Sequence, residues 1–119
     1  MSGLRVGIGI DAHAFGAEPP LVLAGIEFSD HPRLVGHSDG DVVSHALVDA
    51  FLGAAGLGDI GELFPSDQQR WAGASSLELL ARAYADVREA GFVLVNADCV
   101  VVGEQPRIAP ERERMRAAL

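Results

Sequence analysis

The histidines of this sequence and the carboxylates spaced around them are the side chains with the most chemistry to offer. His37-Ser38-Asp39-Gly40-Asp41 runs into Val42-Val43-Ser44-His45, the wording of a loop that turns into a helix. Ser38 is spaced to accept from the amide three residues on and Asp41 to reach back, as in a capping box. Asp41, His45 and Asp49 then recur every four residues, so they stack on one helix face and set an imidazole between two carboxylates. Such a set can hold a metal. Taken alone, its plainer reading is a polar helix face on which Asp41 caps and His45 makes a local hydrogen bond. Upstream, Val6, Ile8 and Ile10 alternate with Gly7, Gly9 and Asp11, a strand pattern over residues 5–13 with glycines where something packs close to the backbone. Asp11 and His13 point to the same side of such a strand, as metal ligands or as hydrogen-bonded neighbours.

Asp11, His13 and His45 together make a mixed oxygen and nitrogen set with a fourth position open, the pattern of a catalytic zinc-type site. Structural zinc takes ligands rich in cysteine, and the sequence has one cysteine, Cys99. His37 precedes His45 by eight residues, about 12 Å along a helix. If His45 holds an ion, His37 and Ser38 are left at the helix N-terminus, where amides and dipole favour an anion such as phosphate.

Composition narrows the chemistry further. A net charge of −8 repels nucleic acid and anionic membranes over most of the surface. Lysine is absent and every basic residue is arginine, which excludes a P-loop lysine and any Schiff-base mechanism. A phosphorylated substrate would therefore need its positive counter-charge from a metal, from helix N-termini or from a few arginines. No apolar run reaches the length of a membrane span, and the start of the chain does not resemble a signal peptide, so a cytoplasmic location is expected. Cys99 lies within an apolar run and is expected to be a small core residue. Length and composition fit one domain, residues 1–119.

The elements that must position these side chains are legible in outline. Leu21 to Phe28 reads as a short hairpin with glycine at its middle, followed by a loop in which His31 is solvated. The helix after Ser38 should end near Gly56 or Gly58. A glycine-rich acidic loop then runs from Leu57 to Asp67. Ser75 and Glu78 form a second capping box, ahead of an amphipathic helix marked by Leu79, Leu80, Ala83, Tyr84 and Val87 and closed by Gly91. Trp71 and Tyr84 are expected to be packing aromatics. Residues 92–102 read as a nearly continuous apolar strand covered on both faces, and Pro110 opens a last helix. These elements are thin cover for so apolar a strand, so an oligomer or residues beyond Leu119 should supply the missing layer.

Asp11-Ala12-His13, the His37-to-Asp41 run with His45, and Leu57-Gly58-Asp59-Ile60-Gly61, in this order, resemble the 2-C-methyl-D-erythritol 2,4-cyclodiphosphate synthase family of the non-mevalonate isoprenoid pathway. The similarity runs in register from Val6 to about Met115. It implies an α+β fold, a small mixed β-sheet with helices on one face, assembled as a homotrimer with the sheets toward the centre and active sites between neighbours. It also implies zinc, or another divalent transition metal, on Asp11, His13 and His45, with Mg2+ or Mn2+ on the substrate diphosphate.

The resemblance further implies that His37 is the catalytic, transition-state residue and that His37 and Ser38 contact the substrate phosphates beside Asp11 and His13. Asp59, Ile60 and Gly61 match the segment that holds the erythritol hydroxyls, with Phe64, Pro65, Ser66, Asp67 and Gln68 in the loop beside it. Gly103, Glu104, Gln105, Pro106, Arg107, Ile108 and Ala109 match the segment that recognises cytosine at a neighbouring site. Family members commonly read Phe-Pro-Asp where this chain has Phe64-Pro65-Ser66. Their chains continue past the position of Leu119 into a threonine-rich segment with a glutamate, a second transition-state residue and a magnesium ligand. The implied reaction is metal-dependent closure of 4-diphosphocytidyl-2-C-methyl-D-erythritol 2-phosphate to the cyclodiphosphate with release of CMP. The alternative is a metal-binding trimeric subunit without turnover.

Overall fold

A computed structural model describes residues 3–36, 38–65 and 75–119. The hairpin forms as its sequence demands. Strands β1 (Leu21–Leu23) and β2 (Ile26–Phe28) pair antiparallel, with Leu21 opposite Phe28 and Leu23 opposite Ile26. Between them Ala24 has φ 51° and Gly25 φ 78°, the left-handed pair that a two-residue hairpin turn requires.

Helix α1 (Val42–Ala55) ends where glycine allows it. Gly56 takes φ 73° and its amide donates to the Gly53 and Leu52 carbonyls. One helical turn, α2 (Ile60–Leu63), stands where the sequence reads as plain loop, because Asp59 caps it by accepting from the Glu62 amide at 2.9 Å. Helix α3 (Ser76–Glu89) follows, and a 3-10 turn (Ala109–Glu111) with proline near its start leads into α4 (Arg112–Ala118). Leu21 and Leu23 of β1, Val48 and Leu52 of α1, Leu79, Ala83 and Val87 of α3 and Met115 of α4 share one buried cluster. The described residues thus form a small α+β fold of one two-stranded sheet and four helices.

Two expected strands are not formed. Residues 5–13 and 92–102 carry no strand and join no ladder among the described residues. They border a cleft of about 1110 Å³ that also exposes one side of α1. A strand exists only where a neighbouring segment pairs with its backbone groups, and neither segment has such a ladder. Their side chains are consequently bare, Ile8 being 80% and Val102 93% exposed. Cys99 is exposed on the cleft wall rather than sitting in the core. Partial desolvation there, and secondarily the Asp98 carboxylate, push its thiol pKa up.

What fixes the first segment is its contact with α1. A Cβ at Gly9 would fall on the Ala46 carbonyl oxygen, and one at Gly7 on that of Ala50. The glycines therefore let the chain lie directly on the helix, antiparallel to it, so that Asp11 and His13 arrive beside the first turn of α1. On the other side, Leu94 donates its amide to the Tyr84 hydroxyl at 3.2 Å, and Tyr84 packs on Phe51 with ring centroids 5.8 Å apart. Tyr84 is therefore a packing aromatic, as its spacing implies. His31, half-buried, meets Phe28 edge to face rather than standing free in solvent. Trp71 lies outside the described residues.

Candidate metal centre

Asp41 fixes the start of α1, and it does more than cap. The residue is fully buried. Its Oδ1 accepts from the Ala24 amide at 2.8 Å and the Ser44 amide at 3.2 Å. Its Oδ2 accepts from the Gly25 amide and the Ser44 hydroxyl, each at 2.8 Å. One carboxylate thus ties the hairpin turn to the helix N-terminus, where a negative charge also suits the dipole. The cap is Asp41 rather than Ser38, because the loop turns inward and commits the Ser38 hydroxyl to His45 Nε2 at 3.0 Å. Asp49, one turn beyond His45, accepts from the Ile60 amide at 2.8 Å and so anchors α2. Neither Asp41 nor Asp49 competes with His45 for a ligand role.

Asp11, His13 and His45 converge, each offering one ligand atom within 4.8 Å of the others. Asp11 Oδ2 lies 2.8 Å from His13 Nε2 and 3.1 Å from His45 Nδ1, and the two nitrogens are 3.4 Å apart. The Val35 carbonyl lies 2.5 Å from His13 Nδ1. A carbonyl can only accept, so Nδ1 carries the proton and the Nε2 lone pair faces the cluster. Gly36 permits this approach, since a Cβ there would press on the imidazole at 3.3 Å. A carboxylate oxygen and two imidazole nitrogens of these types and this spacing could hold a divalent transition metal. Side-chain exposures of 26% for Asp11, 18% for His13 and 11% for His45 leave one side of the cluster open.

The other expected site residues divide three ways. Ser38 is in the cluster's shell, and Asp59, Ile60 and Gly61 begin α2 beside Asp49. Phe64 and Pro65 follow α2, whereas His37, Ser66, Asp67 and Gln68 lie outside the described residues. Gly103 to Ala109 form a bend and the start of the 3-10 turn, and Gly103 and Gln105 line the same cleft as Asp11 and His13. Sequence spacing missed Ser76, whose hydroxyl lies 2.8 Å from His45 Nε2. Its neighbour Ser75 carried the capping pattern, yet Ser75 makes no side-chain cap bond. Instead Asp39 accepts from the Ser76 amide at 3.0 Å and from the Ser76 hydroxyl.

Comparison with known proteins gives the family. The YgbB family model matches residues 4–119. The chain is 47% identical to the 2-C-methyl-D-erythritol 2,4-cyclodiphosphate synthase of Idiomarina loihiensis, over 98% of this chain and 73% of that protein. It belongs to the cyclodiphosphate synthase family. A Synechocystis synthase is 46% identical over the whole chain and 74% of its own length. Among solved structures, a 2C-methyl-D-erythritol-2,4-cyclodiphosphate synthase superposes with TM-score 0.89 at 38% identity, covering 96% of this chain and 76% of its own. The bifunctional IspDF of Campylobacter jejuni superposes with TM-score 0.90 at 46% identity, over 96% of this chain but 31% of the larger one. The synthase fold thus recurs as one part of a longer polypeptide. Another solved synthase is described as a CDP-bound form.

Proposed function

We propose that this chain carries out the family's ring closure, converting 4-diphosphocytidyl-2-C-methyl-D-erythritol 2-phosphate to 2-C-methyl-D-erythritol 2,4-cyclodiphosphate and CMP. The observation that carries this is the convergence of Asp11, His13 and His45 in a member of the synthase family. These residues would hold zinc or a similar transition metal, with Mg2+ or Mn2+ accompanying the diphosphate. When bound, the ion screens the repulsion between two anionic phosphates and polarises the phosphorus under attack. Val35 and Gly36 hold the His13 ring in place for it.

An oxygen of the 2-phosphate attacks the β-phosphorus, the bond from that phosphorus to the CMP phosphate oxygen breaks, and CMP leaves with the bonding pair. No protein nucleophile takes part, so what the chain must provide is orientation. We assign His37 and Ser38 to contacts with the phosphates, His37 as the transition-state residue. Asp59, Ile60 and Gly61, with the loop from Phe64 to Gln68, hold the erythritol hydroxyls. Gly103 to Ala109 recognise cytosine at a neighbouring site. The bare apolar side chains on residues 5–13 and 92–102 support a homotrimer that covers them. We place the protein in the cytoplasm, and no described helix is long and apolar enough to cross a membrane.

Phosphorus NMR of the substrate mixed with protein, Zn2+ and Mg2+ tests the activity. Equal amounts of CMP and cyclic diphosphate are expected, both lost in His45→Ala. Metal uptake with no CMP release would replace ring closure with a purely binding role.

A further inference from the structure

The nitrogen of His45 that faces away from Asp11 is not left to solvent. Its Nε2 lies 2.8 Å from the Ser76 hydroxyl and 3.0 Å from that of Ser38, and these two hydroxyls are 3.2 Å apart. Ser76 is fully buried at the start of α3. Asp39 completes the chain. Its Oδ1 accepts from the Ser76 hydroxyl and, at 3.0 Å, from the Asp41 amide, while its Oδ2 accepts from the Ser76 amide at 3.0 Å.

A serine hydroxyl has one proton to give. Asp39 meets only donors in this set, so the Ser76 proton goes to it, and the Ser76 oxygen is left as an acceptor toward His45. With the Ser38 proton turned to the Ser76 oxygen, both hydroxyl oxygens accept from a protonated Nε2, which leaves the Nδ1 lone pair aimed at Asp11 and His13. We propose that Asp39 and Ser76 are positioning residues that set the tautomer and ring orientation of His45 and thereby raise the affinity of the Asp11–His13–His45 cluster for a divalent metal. Outer partners of ligating histidines commonly act in this way. The inference rests on the metal-binding reading proposed above. It gives α3 a part in the metal site that neither a capping serine nor a helix start by itself would have.

Ser76→Ala isolates the hydroxyl, because the backbone amide keeps its bond to Asp39. The expected result is a loss of zinc affinity of about 10- to 100-fold in chelator competition. The visible spectrum of the Co2+ form should change as well, and Ser76→Thr should restore both. Ser38 can take over part of the acceptor role, so Ser38→Ala combined with Ser76→Ala should weaken zinc further. Unchanged affinity and an unchanged Co2+ spectrum in that double variant, with parent protein that binds zinc, would overturn the positioning role alone. A parent protein that takes up no metal would overturn metal binding itself, and the positioning role with it. Nitrogen-15 NMR of the zinc-loaded parent reads which nitrogen carries the proton without any mutation. Nε2–H on His45 is expected there, and Nδ1–H would refute the proposal.

Discussion

Replacing Asp41 should cost this fold more than any other single polar substitution in the described residues. In Asp41→Ala the Ala24 and Gly25 amides and the Ser44 amide and hydroxyl all lose their acceptor. The Ser44 hydroxyl can turn to another acceptor, but the amides cannot move independently of the hairpin turn and the helix. Each buried donor left unpaired costs about 1–3 kcal/mol, and the lost cap is part of that sum rather than an addition to it. Water entering the vacated space offsets some of the loss, so about 4 kcal/mol is expected, against a total stability of roughly 5–15 kcal/mol for a domain. Asp41→Asn separates the contributions. Its carbonyl can keep the Ala24 and Ser44 amides, while its amide group faces the Gly25 N–H, for a loss of about 1.5–3 kcal/mol. Urea unfolding followed by circular dichroism measures both. A shift below about 1 kcal/mol in Asp41→Ala at unchanged m value would show that Asp41 does not hold hairpin and helix together.

Other consequences are open to measurement. Gly9→Ala sets a methyl group against the Ala46 carbonyl. It should destabilise by about 1–3 kcal/mol and weaken metal binding by lifting Asp11 and His13 off α1, both readable from unfolding curves with and without zinc. Zinc at a hundredfold excess over its dissociation constant should add about 2.7 kcal/mol of stability, a gain abolished by a chelator and absent in His45→Ala. Cys99 should react with iodoacetamide at neutral pH more slowly than free cysteine, because desolvation and Asp98 raise its pKa and lower the thiolate fraction. A mass-spectrometric time course that shows faster reaction would contradict that environment.

Local signals carried much of the fold. Glycine at the hairpin turn, Gly56 at the end of α1, the apolar stripe of α3 and Pro110 before α4 each act over a few residues, and each element formed where its signal stood. Patterns that depend on distant partners did not resolve this way. The alternation in residues 5–13 and the apolar run in 92–102 describe chains ready to pair, but pairing needs a neighbouring strand that neither pattern can specify. The capping boxes failed for a related reason. Ser38 and Ser75 had the right spacing, yet Asp41 caps α1 because the Ser38 hydroxyl turns to His45, and Asp39 holds the first amide of α3 from 37 residues away.

The convergence of Asp11, His13 and His45 was legible because its pattern is rare: an Asp-x-His pair, and a histidine one turn into a helix. The glycines that lay one against the other were visible as glycines, though not as contacts with α1. Nothing in the spacing pointed to Ser76, which meets His45 only through the packing of α3 against α1.

Anomalous diffraction at the zinc absorption edge, on crystals of the protein grown with zinc, tests the metal centre most directly. One strong peak is expected about 2.0–2.2 Å from an Asp11 carboxylate oxygen, His13 Nε2 and His45 Nδ1, with Ser76 still against His45 Nε2. No peak there in zinc-saturated protein, or an ion held by other residues, would contradict it.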